Sequence, residues 1–539
     1  MVGAIQILES SGLFESAYCT WSSLDGAVGY NVYEQKVGDS AWTKIDTELI
    51  RKYPSYWRAD ALGLPAGQYR LKVTPVDASG LVDSSSSITS NLTVKGYHRD
   101  GFAFKGGTAS GAYNADGSLK DKAIVLYVTN DTADTITYSI QTSSKGTMTS
   151  ATSIQSILTL LKKGTETRAV DVRFIGNIKT PSSFSNSDNS SICKGDLVVD
   201  CSSKYSVGVT VEGVGNDTVA NGWGIRVKGG INVEIRNIGF MNCSSDETDN
   251  IGLQQDNEHI WVHHCDMFYG NAGSDEDQVK GDGALDCKKS NYVTLSYNHF
   301  WDNGKCNLLG LSEKSSDLYI TYDHNWYDHS DSRHPRCRYY NAHVYNNYYD
   351  GNAKYGIGAC LASSVFVEKN YFRYCKDPMM TSMQGTDLIG ANANKGDGTF
   401  SNENGGAIKA YANAFAEGSY ASYLPYKSDG SSPASTYGYD CYEVASREET
   451  VPSTYVAKQG SAVYRNWDTD ASLVDTYTAD AAEEVPSIVT SSAGRMQQGD
   501  FQWTFDNATE DKNYLVIAAL KTAVTNYAGT LVSVGGNSL

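Results

Sequence analysis

The chain has 539 residues, with 40 % hydrophobic and only 20 % charged positions. That is too long for one ordinary globular domain and too apolar for a disordered chain, although a solenoid can run long as a single unit. A formal net charge of −18 argues against sequence-independent nucleic-acid binding, which needs a surplus of Lys and Arg.

The 51 glycines and 37 tyrosines point to strands and turns. No run of eighteen apolar residues marks a membrane span. The opening MVGAIQILESSG lacks the basic and apolar regions of a signal peptide. The eleven cysteines are odd in number and show no CxxC pattern, so most are expected to be buried thiols.

Residues 1–95 read as short alternating strands. Trp21, Leu24, Val28, Tyr30 and Val32 mark one stretch, and Tyr69, Leu71 and Val73 alternate in another. This resembles a fibronectin type III β-sandwich, in which a tryptophan strand and a tyrosine strand pack across the core. A solenoid is expected over 96–480, followed by a C-terminal segment, 481–539, that packs back on it.

Within 150–164, Ile154, Ile157, Leu158 and Leu161 fall at i, i+3, i+4 and i+7, ahead of Gly164. The spacing predicts an amphipathic helix placed to cover an open solenoid end. A second helix is expected over 512–528, through Val516, Ala519, Leu520 and Ala523.

Between about 205 and 415 the pattern apolar-x-x-Asn-x-aromatic recurs at Asn298, Asn325, Asn347, Asn370 and Asn413. The steps are 27, 22, 23 and 43 residues, the last fitting two turns or an insertion. Ile238 and Cys265 hold the same place upstream, and cysteines 243, 265 and 287 step by 22. A period of 20–30 residues without Leu-x-x-Leu-x-Leu predicts a mainly β chain, a right-handed parallel β-helix. The asparagines are expected in the left-handed region, bonding coil to coil as a ladder.

Charged residues concentrate in the same stretch. Glu247 and Asp249 precede one strand; Asp282, Asp286 and Lys288 follow; Lys305 lies in the next coil; Arg333, Arg336 and Arg338 surround Pro335. Residues one coil apart stack about 4.8 Å apart, so these positions can line one groove. Carboxylates there suit an oxygen-preferring ion such as Ca²⁺, and the arginines and lysines suit a carboxylated sugar chain. Each feature has a plainer reading: Asp282-Gly283 as a turn, Glu247 as a solvated loop residue, Lys288 and Lys289 as a solvated pair. His263 and His264, adjacent on a strand, should face opposite ways, which argues against zinc.

The run Arg333-His334-Pro335-Arg336-Cys337-Arg338, followed by AHVYNNYY (342–349), resembles the RxPxxR signature of the pectate lyase superfamily. The strands VEIRNIGF, NYVTLSYNHF and LYITYDHNWY are similar to that family's coils, and the likeness covers roughly residues 100–415. It implies a secreted, monomeric, calcium-dependent enzyme that cleaves polygalacturonate by β-elimination. It makes Arg333 the base, Arg338 and Lys305 its catalytic partners, and Lys288 and Arg336 substrate-binding residues. Asp249, Asp282 and Asp286 become the calcium ligands, with Glu247 auxiliary.

A guanidinium ordinarily keeps its proton, so this mechanism leans on crowded positive charge. The alternatives are a calcium-independent pectin lyase and a non-catalytic pectin-binding solenoid. No acidic pair remains for a hydrolase. Loops 376–405 and 418–440 are expected to form the cleft ends.

Overall fold

The computed structural model describes residues 3–106, 110–186, 195–245, 249–274, 276–389, 400–416, 422–511 and 513–536. Near the N-terminus, alternating residues build two antiparallel sheets. One runs Leu92–Val94, Gly67–Asp77, Gly29–Lys36, Thr43–Lys44. The other runs Ile7–Gly12, Ser16–Trp21, Trp57–Leu62, Ile50–Lys52 and, from the far end of the chain, Ser533–Val534. Between them Trp21, Tyr30, Val32, Tyr69, Leu71 and Val73 are buried, with the Trp21 and Tyr30 rings edge to face. Val28, in the turn, stays exposed. Ile175 and Val214 of the following domain join this core, so the sandwich packs on the solenoid.

From Ile124 onward the described strands, apart from the antiparallel pair Thr137–Gln141 and Met148–Thr152 and the strand Ser533–Val534, are parallel and form three sheets of 12, 9 and 8 strands. Each coil visits the three in the same order, as in Ser290–Ser296, His299–Trp301 and Leu308–Leu309. This is a right-handed parallel β-helix.

At the corner between the first two strands of each coil, the asparagines form the expected ladder. The side-chain amide of Asn298 donates to Asn325, that of Asn325 to Asn347, Asn347 to Asn370 and Asn370 to Asn413, at 3.0–3.1 Å. The left-handed residue, however, is the one before each asparagine: Tyr297, His324, Asn346, Lys369 and Ala412 all have φ near +50°. The bend is taken one residue early. Each asparagine then turns both its backbone N–H and its carboxamide to the next coil.

Two residues further on, Phe300, Tyr327, Tyr349, Phe372 and Phe415 stack at 4.4–5.2 Å. The 43-residue step is one coil with an insertion, because Ser364–Glu368 pairs directly with Ala407–Tyr411. The cysteine spacing of 22 is no stack, since Cys243 follows a strand of the nine-stranded sheet, Cys265 sits at the corner and Cys287 lies in the eight-stranded sheet. The ten described cysteines are free and buried; Cys193 lies outside the described residues.

The helix Ile154–Thr159, continued as a tighter turn to Lys163, ends at left-handed Gly164. It starts later than expected because Met148–Thr152 pairs as a strand with Thr137–Gln141. Its four apolar residues enter the solenoid core, and Gln155 exchanges hydrogen bonds with Val198. The helix therefore covers the first coils. Near the C-terminus the helix Ala518–Thr525 lays Leu520 and Val524 against Met241, Phe268 and Tyr269.

The outer face of the twelve-stranded sheet carries buried charge. Arg236 bridges Glu212, Glu234 and Glu15; Arg173 bridges Asp171 and Glu212; Arg99 pairs with Glu15. His263 and His264 do not face opposite ways. His264 takes the left-handed corner (φ 51°), which brings the two Nδ1 atoms to 2.8 Å, while His263 Nε2 meets Glu234. On the nine-stranded sheet, Arg495 pairs with Asp266, and His329 and Arg373 both pair with Asp511, holding the C-terminal segment down.

Candidate active site

The eight-stranded sheet presents one row of outward positions across successive coils. Arg226 pairs with Gly252, Gly252 with Asp286, Leu308 with Arg336, Arg336 with Gly358, and Gly358 with Met380. The Leu308 N–H donates to Asp286 Oδ1 at 3.0 Å, which joins the two halves of the row. Alternation along each strand sends Cys287, Leu309 and Cys337 inward to the core and the charged residues outward.

At one end of this face carboxylates crowd together. Asp249 and Asp286 flank Gly283, where a Cβ would lie 2.6 Å from one carboxylate and 2.5 Å from the other. Only glycine leaves that cradle open. Burial and the Asp286 charge push the Asp249 carboxyl up to about 7, against the opposing pull of Arg226, 3.3 Å away, and Lys288. Asp282 contributes to the same negative field but turns to Lys305, whose Nζ is 2.7 Å from Oδ1. Lys305 also approaches Asp277, and Lys288 lies 3.7 Å from Asp286.

Among the described residues no three of these carboxylates close on a single point; Glu247 lies outside them. The converging Asp249 and Asp286, with Asp282 beside them, offer only hard oxygen donors under like-charge strain. That donor set fits a divalent, oxygen-preferring cation.

At the other end stand the arginines. The loop carrying Arg333 is pinned from every side. Its carbonyl accepts from Asn307 N–H, Ser332 Oγ donates to Gly304 O, and buried Lys280 joins Asp331 to Asp302 at 2.8 and 2.6 Å. Arg333 itself is left-handed (φ 63°) and half-buried. Among the described residues its guanidinium makes no hydrogen bond or ion pair.

Arg336 and Arg338 are different. Arg338 Nε meets both Glu403 oxygens at 2.8 and 2.9 Å, and Arg336 Nη2 reaches Ser401 Oγ and Glu403. Burial pushes the Tyr355 phenol up to about 12 while Arg333, Arg336 and Arg338 pull it back, so all three cations act on this one ring. His334 is no rival base. Burial lowers it to about 3, and its nitrogens are engaged by Ser330 Oγ and Tyr355 O.

The structure thus puts Asp249, Asp282, Asp286, Lys288 and Lys305 in one group and Arg333, Arg336 and Arg338 in the next coil along the same face. Sequence reasoning missed Arg226, Asp277, Lys280 and Glu403. Glu403 sits in the polar run SNENGG with no local signal; only the expectation that loop 376–405 forms a cleft end pointed near it.

A family model described as pectate lyase matches residues 98–451. A pectate trisaccharide-lyase of Bacillus licheniformis is 33 % identical over 177 residues, covering 32 % of this chain and 50 % of that protein. Pectate lyase A of Emericella nidulans is 34 % identical over 182 residues, covering 33 % and 54 %. The chain spans about half the length of the curated relatives it matches. Among solved structures, a pectate lyase from Bacillus sp. N165 in complex with trigalacturonate aligns with a TM-score of 0.46 at 19 % identity, covering 74 % of this chain and 99 % of that one.

Proposed function

The chain belongs to the pectate lyase family, and from that premise we propose that it cleaves de-esterified homogalacturonan by calcium-assisted β-elimination. The observation that carries this reading is the Arg333 guanidinium, unpaired among the described residues and held by a pinned loop on the same face as the crowded carboxylates. A guanidinium with no hydrogen-bond or ion-pair partner among the described residues is a place for an anionic substrate.

Arg333, acting in its neutral form, takes the proton from C5, α to the uronate carboxylate. The electron pair moves to form the C4–C5 double bond, the C4–O glycosidic bond breaks, and the departing oxygen takes a proton from water as the leaving chain is released. Lys305, oriented by Asp282 and Asp277, and Arg338, oriented by Glu403, stabilise the charge that develops on the carboxylate. Lys288 and Arg336 bind uronate groups along the row. Asp249, Asp282 and Asp286, with Glu247 from outside the described residues, would hold calcium, which when bound would neutralise the uronate and acidify C5–H. Arg333 and Arg338 are the outer members of the RxPxxR signature.

We read residues 1–95 as a fibronectin type III-like module, 96–480 as the catalytic solenoid and 481–539 as a packing segment of a secreted monomer.

The test is ultraviolet absorbance of unsaturated product from polygalacturonate, with and without chelator. Chelator-sensitive product supports the reading. Chelator-resistant activity on esterified pectin would identify a pectin lyase, and binding without product under any condition a non-catalytic module.

A further inference from the structure

The row of outward positions does not run the length of the solenoid. Past Arg336 the next residue in register is Gly358, and the Phe400 ring lies on it: a Cβ at Gly358 would meet Phe400 Cε2 at 2.7 Å. Phe400 also packs on Tyr355, ring centroids 5.2 Å apart. Beyond Gly358, Cys360 and Met380 are fully buried. The face is walled off immediately after the arginine strand.

The described residues of the wall, 400–405, close the insertion that lengthens the last asparagine step and are tied to the strands beneath. Ser382 Oγ donates to the carbonyls of Ser401 and Glu403 at 2.6 and 2.7 Å. Leu361 N–H donates to Asn404 O at 2.7 Å, and Gly405 bridges to Cys360. From this support the Glu403 carboxylate projects onto Arg338 and Arg336, with Ser401 Oγ at 3.0 Å and Cys360 Sγ at 3.2 Å. A carboxylate on paired arginines is the contact an acidic sugar would make in the same place.

We propose that Glu403 is a specificity-determining residue that occupies a uronate-carboxylate position, so that the groove dead-ends at Arg336 and Arg338 and the polymer is held there by a chain end. The inference rests on the pectate-cleaving reading and adds to it the mode of attack. An internal stretch of polygalacturonate cannot continue past Phe400, and a second uronate, beyond the one that Arg336 and Arg338 serve, would face the Glu403 charge. Products are then short and of narrow length from the first turnovers.

The experiment follows viscosity and product length together during digestion of polygalacturonate. In the wild type, viscosity should fall slowly while short unsaturated products of narrow length accumulate. An early collapse of viscosity with long, mixed products would overturn the inference while leaving the lyase reading intact.

Glu403→Gln and, separately, Phe400→Ala should lengthen the products; an unchanged distribution in both would overturn it. In an Arg333→Lys background, Glu403→Gln should bind tetragalacturonate about tenfold tighter by calorimetry, since a charge-assisted pair is freed for the ligand; equal affinity would overturn the inference. Absence of any unsaturated product from the wild type would bring down the parent reading, and this one with it.

Discussion

Two charged faces of the same solenoid obey opposite rules. On the twelve-stranded sheet Arg236, Arg173 and Arg99 are matched by Glu212, Glu234, Asp171 and Glu15 in one closed network. On the eight-stranded sheet the matching is incomplete: Asp249 and Asp286 crowd each other despite Arg226 and Lys288, and Arg333 has no ion pair among the described residues. Burying charge is costly unless it is paired. The matched face meets that cost within the chain, so its charges serve the fold. The incompletely matched face leaves part of it unmet, and this is where the proposed ion and anionic substrate would bind.

The strongest way to break this contrast is Arg333→Lys, which should cut turnover at least about 100-fold, the scale of a lost general base, with calcium affinity and melting temperature unchanged. Large loss of stability instead would put Arg333 on the structural side.

Arg236→Met is the mirror experiment. It takes the shared guanidinium from Glu212, Glu234 and Glu15, leaving Glu212 to Arg173 and Glu234 to His263, and should cost about 3–5 kcal/mol in denaturant melts while leaving turnover per folded molecule intact.

Next comes Asn347→Ala. It removes one rung of the ladder and exposes its neighbours' unpaired groups, at about 1–3 kcal/mol, again without a specific effect on turnover.

The smallest effect is one of pH, at the matched contact that holds the C-terminal segment. Burial alone would lower His329, but donating to Asp328 and pairing with Asp511, beside the charges of Asp328 and Asp350, pushes it up to about 10. A histidine raised in the folded state stabilises fully below its ordinary value near about 6.5, and that stability is lost as pH rises through about 10. Thermal melts should therefore fall across that window, and His329→Gln should flatten the slope. A melting temperature that rises with pH there would contradict the pairing.

The solenoid was legible because every coil must solve the same problem with the same residues. Asn298, Asn325, Asn347 and Asn370 repeat where one amide meets the next, and the aromatics two positions on repeat where rings stack. The left-handed corner was misplaced by one residue because Tyr297, His324, Asn346, Lys369 and Ala412 share a backbone angle and no side-chain chemistry.

At the site, Arg333, Arg336 and Arg338 were conspicuous as dense charge within six residues. Their partner was not. Glu403 comes 65 residues after Arg338, from an insertion whose placement depends on how the chain returns to the twelve-stranded sheet. Pairing at that range leaves no pattern in a single sequence. The same holds for Ser533–Val534, two residues too few to carry any periodicity.

That last strand has a consequence for biosynthesis. Ser533–Val534 completes the edge at Ile50–Lys52, and Gly536 accepts from Tyr30 N–H and donates to Thr47. A chain made from its N-terminus exposes that sheet edge through the synthesis of some 480 further residues, and an open edge invites pairing with other chains. An early sheet is thus finished late. Its seam closes only once Ser533–Val534 has left the ribosome.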